Sequence, residues 1–248
     1  MAIISMALLL FALMASPAMA APSWVKKAKK LFENDEYTDV IELVEAHRKD
    51  NLAAMFLAFS HLQEFIFNGT RYDKEKFKNY KLYLEAKLTA DDIDDLLYFV
   101  NLDDKPEVVR EARRLSSSTF KNIKQIEDVP KLVKFLKASD EESRRLALSS
   151  IKRIIELKRK YVAKGGTLRE KDVKVMGSPR LITPLLEQIE EKEARRTLVM
   201  LEEPVLKYIG KYMGPRYIDV EESINKAMAK RVSKYPDSNW YSAVGKVR

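Results

Sequence analysis

The chain reads as an all-α protein on three observations. Apolar residues recur at steps of three and four from one end to the other, the period of a helix with one buried face. Only seven glycines interrupt 248 residues, one-third of them charged, a loop-poor composition. One stretch also resembles another 35 residues downstream: Val109-Arg110-Glu111-Ala112 falls on Arg144-Arg145-Leu146-Ala147.

Residues 1–20 form the first element. MAIISMALLLFALMASPAMAA carries no charged side chain, and its apolar run ends at Pro17 followed by Ala18-Met19-Ala20. Small residues at that spacing mark a secretory cleavage site. The expected outcome is a signal peptide cleaved after Ala20 and a periplasmic or secreted protein. No Lys or Arg precedes the apolar run, and a retained N-terminal membrane anchor or a buried first helix are the alternatives. No cysteine is present, which removes disulfides and thiolate chemistry.

Residues 21–103 form an N-terminal helical region. Trp24, Ala28 and Leu31/Phe32 mark a first helix, and Tyr37, Val40, Ile41, Val44 and His47 a second over about 35–49. A third over 51–67 is apolar over a wide arc and is expected to be largely buried. Asn68-Gly69 stops it, because glycine enters the left-handed conformation without steric cost. Asp73 is expected to cap a fourth helix with Phe77, Tyr80, Leu84 and Leu88 on its inner face. Thr89 is expected to cap a fifth, with Asp91 and Asp92 at the positive end of its dipole.

Residues 104–248 hold the better internal repeat. "DKPEVVREARRLSSSTFKNI" aligns with "SDEESRRLALSSIKRII", and "VPKLVKFLKAS" between them supplies a short preceding helix. A third unit is expected over 178–213, with a kink or break at Pro204. Between units, 163–179 is bracketed by Gly165-Gly166 and Gly177-Ser178-Pro179, as an ordered excursion or a mobile loop. An amphipathic helix over about 219–233 follows. Trp240-Tyr241 beyond it either packs back as a cap or is offered to a partner.

Short helix, acidic turn and longer helix with a waist at Ala112 or Ala147 resembles a HEAT repeat. The resemblance implies an armadillo-type helical-repeat solenoid, a right-handed alpha-alpha superhelix, and protein–protein binding through a groove lined by successive helices. "DEYTDVIELVEAHR" and "AAMFLAFSHL" in the N-terminal half resemble degenerate tetratricopeptide helices, without that family's Trp-x2-Leu-Gly-x2-Tyr signature.

Motifs for catalysis, cofactors or metals do not emerge. His47 and His61 stand apart without metal-ligand spacing, and Ser116-Ser117-Ser118 has no neighbouring base. Gly165-Gly166-Thr167 lacks the ending of a phosphate loop. Asp91, Asp92, Asp94 and Asp95 fit a helix start better than a calcium loop.

Charge is the remaining signal. Residues 21–127 carry a net −2 and residues 128–248 a net +10, which suits acidic partners. On the helix over 140–161, Arg145, Lys152 and Arg159 line up at steps of seven, flanked by Arg153 and Lys160. These five are the candidate partner-binding residues, for an acidic protein, an anionic envelope polymer or lipid headgroups; export disfavours nucleic acid. The expected function is therefore a non-enzymatic, exported interaction scaffold without cofactor. A cell-wall glycosidase or other hydrolase, working through two converging carboxylates, is the alternative. A membrane-anchored cytoplasmic HEAT protein that binds nucleic acid is a third.

Overall fold

The computed structural model describes residues 22–234, all helices, turns and loops with no strand among them. The cleavage site and Trp240-Tyr241 lie outside the described residues. Two compact units divide between Tyr80 and Lys81.

In the first unit, helices α1 (Ser23–Glu33), α2 (Tyr37–Val44) and α3 (Asn51–Asn68) pack on one another. Ala28, Phe32, Val40 and Val44 are fully buried against α3. Every residue from Ala53 to Gln63 is buried, so α3 is enclosed on all sides over that stretch and needs no polar face there. Asp50 caps it, its carboxylate accepting from the Leu52 and Ala53 amides at 2.9 and 3.2 Å. Gly69 ends it at φ 68°, in the left-handed conformation its composition predicts.

Helix α4 (Arg71–Lys87) begins differently from expectation. Thr70 is its cap, with the Asp73 amide donating to Thr70 Oγ1 at 3.2 Å. Asp73 sits inside the first turn. Its carboxylate accepts from the Thr70 hydroxyl and lies 2.8 Å from His61 Nδ1 on α3. The buried histidine draws the acid inward and leaves the cap to the residue before the helix. Leu84 and Leu88 of the expected inner face are buried, whereas Phe77 and Tyr80 are only half-buried.

The second unit is built from helix pairs. Thr89 makes the expected cap as a reciprocal box, its own amide donating to Asp92 Oδ2 at 2.7 Å and its hydroxyl accepting from the Asp91 amide at 3.2 Å. Helix α5 (Ile93–Val100) pairs with α6 (Pro106–Asn122). Residues 81–103, grouped by sequence with the N-terminal region, thus fall in the second unit. Next, α7 (Val129–Lys134), extended by a 3₁₀ turn over Phe135–Lys137, pairs with α8 (Glu141–Ala163). Then α10 (Pro179–Glu187) pairs with α11 (Lys192–Leu201), after α9 (Glu170–Met176) has ordered the excursion between the units. The first helices of the pairs pack in succession (α5 on α7, α7 on α10), as do the second (α6 on α8, α8 on α11). Val108, Ser143 and Ala194 occupy matching third positions of α6, α8 and α11, all fully buried. Small or β-branched groups there let successive helices approach.

Helix α12 (Glu203–Ile209) follows a break. Pro204 has no N–H to offer the Met200 carbonyl four residues back. The chain turns at Glu202, with φ 59° and ψ −128°, a conformation that non-glycine residues rarely adopt. Helix α13 (Pro215–Lys234) begins four residues before the expected start, because Pro215 suits a first helical position. It packs on α11 and α12.

Candidate binding groove on the basic half

The candidate site is assembled by α8, α11 and α13, all in the second unit. Where they diverge they leave an open groove of about 540 Å³. Lys152 and Glu156 line it from α8, Arg195, Arg196, Val199 and Met200 from α11, and Asp219, Val220 and Ser223 from α13. Val199, Met200 and Val220 supply apolar contact, and the two arginines and Lys152 outnumber the two carboxylates. A partly apolar concavity with a few convergent polar groups is a standard binding surface.

The heptad stripe along α8 sits on a seam between helices. Arg145 pairs with Glu141 at 2.7 Å and reaches Glu191 at 3.8 Å. Lys152 pairs with Glu193 at 2.7 Å. Arg159 donates to the Met200 carbonyl at 3.1 Å and to Glu202 at 2.8 Å. Its steps of seven along α8 therefore meet Glu191, Glu193 and Glu202 on and beyond α11.

Arg153 is equally engaged. Its guanidinium donates to the carbonyls of Phe120 (2.7 Å), Lys121 (2.9 Å) and Ile123 (2.8 Å) at the end of α6, where helical donors run out and Phe120 otherwise accepts only from the Ile123 amide in a tight turn. Its positive charge also suits the negative end of that helix dipole. Arg144 does the same for the end of the α7 segment, donating to Ala138 and Ser139 at 2.6 and 2.8 Å. Arg195 repeats the device after α10, donating to Ile189 and Glu190 at 2.7 Å each. Four arginines thus tie helix ends to their neighbours. Of the five sequence candidates, Lys152 lines the groove, Arg145 and Lys160 are exposed, and Arg153 and Arg159 are held against backbone carbonyls rather than standing free.

Sequence reasoning missed Arg195 and Arg196. The signal was available: the Arg-Arg pair of "EESRRLA" returns in "EKEARRT" at matching places on α8 and α11. Arg196 is half-exposed, with Glu193 at 3.5 Å, and is the cation of this groove least committed elsewhere.

Three acids of the cluster have partners within the fold. Asp92 closes the capping box, while Asp91 and Asp94 receive Lys131 (2.6 Å) and Lys134 (2.5 Å) from α7. The Asp91 bond raises the Lys131 pKa. On α9, burial pushes Asp172 up, but the bonds from Arg169 and Lys158 outweigh it and hold the carboxyl below its ordinary value. Around His61, the Thr70 hydroxyl faces the carboxylate of Asp73. Tyr80, stacked on the imidazole at 6.1 Å, donates to Glu45 at 3.2 Å. Burial, with Glu45 beside it, pushes the Tyr80 phenol up to about 12. These groups clamp α3 to α4. Among the described residues no group of three or more His, Asp and Glu is placed to hold a metal ion, and no helix is long and apolar enough to cross a membrane.

No protein-family model, no curated protein and no solved structure matches the chain.

Proposed function

We propose that the chain is an exported, non-enzymatic scaffold whose second unit is a HEAT-like solenoid. On this reading the two successions of helices are the beginning of a right-handed superhelix, and the groove between α8, α11 and α13 receives a protein partner. The observation that carries the reading is the groove itself: the apolar floor of Val199, Met200 and Val220 beside Lys152 and Arg196. Apolar contact would supply affinity, and the cations would select an acidic segment and speed its approach. Arg153 and Arg159 act on the partner through the helices they hold in register. The uncharged, Ala-x-Ala-terminated N-terminus supports delivery outside the cytoplasm.

The test is capture from envelope extract by the tagged chain, run beside Lys152→Glu/Arg196→Glu. An acidic protein retained at low salt, released at high salt and lost from the double variant supports the proposal. Equal capture by both chains overturns it. Mass spectrometry of the exported product should find Ala21 as the first residue.

A further inference from the structure

The first unit carries a second, different surface. At the end of the α3–α4 hairpin, Phe67 is 67% exposed, Tyr72 63% and Ile66 43%. One face of Phe67 stacks on Tyr37 at 6.1 Å, and the rest of the ring meets solvent. Large apolar side chains grouped in this way mark an interaction site.

Lysines stand on both sides of the first turns of α4, Lys76 on the side of Tyr72 and Lys74 and Lys78 on the other. The Lys74 ammonium stands 5.2 Å over the Phe65 ring and that of Lys76 5.3 Å over Tyr72, while Lys78 is exposed one turn beyond Lys74. The nearby acids are turned to local partners. Asp73 faces His61 and Thr70, Glu75 pairs with Arg71 at 2.8 Å, and Glu64 accepts from Thr38 and Asn68; beside Phe67, Asp35 accepts from the Tyr37 hydroxyl at 2.5 Å and Glu36 from Asn34 at 3.1 Å.

We propose that this hairpin end docks on an anionic lipid bilayer surface. Ile66, Phe67 and Tyr72 enter the headgroup region, where aromatic rings with a polar edge are favoured. Lys74, Lys76 and Lys78 meet the lipid phosphates. Exposed Ile66, Phe67 and Tyr72 beside Lys74, Lys76 and Lys78 complement an anionic bilayer, which sets negative phosphates over an apolar interior. This inference does not depend on the groove of the second unit.

The cysteine-free sequence permits a local test in the full chain, independent of the apolar N-terminus. Asn68→Cys carries an environment-sensitive fluorophore at the hairpin end, and Lys124→Cys carries it on the second unit as reference. Vesicles of equal parts phosphatidylcholine and phosphatidylglycerol should shift the Asn68→Cys emission to the blue, and pure phosphatidylcholine should not. Added salt should reverse the shift. Lys74→Gln/Lys76→Gln/Lys78→Gln should weaken partitioning by on the order of 100-fold, about fivefold for each lost lysine charge. No shift at Asn68→Cys, or an equal shift at Lys124→Cys, overturns the proposal. So does a shift that follows protein concentration without vesicles, which would assign the surface to a second copy of the chain.

Discussion

Arg159 on α8 reaches the buried carboxylate of Glu202 beyond α11 in an ion pair at 2.8 Å, and the Glu202 backbone is itself strained. The pair answers a local deficit. Pro204 leaves the Met200 carbonyl without its helical donor, and the same guanidinium fills that place at 3.1 Å. One side chain thus closes an open helix end and holds the turn that re-aims the chain into α12. Met200, at that end, lines the groove.

Arg159→Met should destabilise the protein by about 3 kcal/mol, because it takes the guanidinium away from both the buried Glu202 carboxylate and the Met200 carbonyl. Glu202→Gln in the same chain should recover part of the loss. Urea unfolding of the two single variants and the double closes the cycle, and strict additivity would show that the two side chains are not coupled.

Arg153→Lys should behave nearly as badly as Arg153→Met, each costing about 2 kcal/mol. Three carbonyls at the end of α6 accept from one planar guanidinium, and a single ammonium cannot reach them in that geometry. Full stability in the lysine variant would show that charge, and not the fork, is what matters. Denaturant midpoints distinguish the two.

Acid stability should depend on Asp73. Burial pushes its pKa up, but the bonds from Thr70 and His61 outweigh this and leave it below the ordinary 3.8. A depressed carboxylate contributes stability that is fully present above the unfolded value and is lost as pH falls through the folded one. Thermal melts between about pH 6 and pH 2 should show this loss in the parent chain and less of it in Asp73→Asn. Parallel acid limbs for the two chains would remove the assignment.

Phe135→Ala should cost about 4 kcal/mol. The ring is fully buried and meets Phe120 edge-on at 4.9 Å, across the contact between α6 and the α7 segment. Calorimetry should show a lower melting temperature; an unchanged one would mean that neighbouring side chains fill the space.

What the sequence determined by itself is the local physics. Thr89 and Gly69 act within a turn of their own positions, so their roles were readable without a fold. The enclosure of residues 53–63 followed from apolar side chains on every face, and the break near Pro204 from a missing donor. Even so, Asp73 was misplaced as a cap, because His61, twelve residues back, competes for its carboxylate. The seven-residue cationic stripe was legible as a pattern, but its role depended on what stands opposite. Glu191, Glu193 and Glu202 lie 41 to 46 residues further along the chain. Only the packing of α8 on α11 brings the two sets together. The hairpin end of the first unit was hidden for the converse reason. Ile66 and Phe67 continue the apolar pattern of a buried helix, and only the tertiary structure shows that the core ends one turn before them.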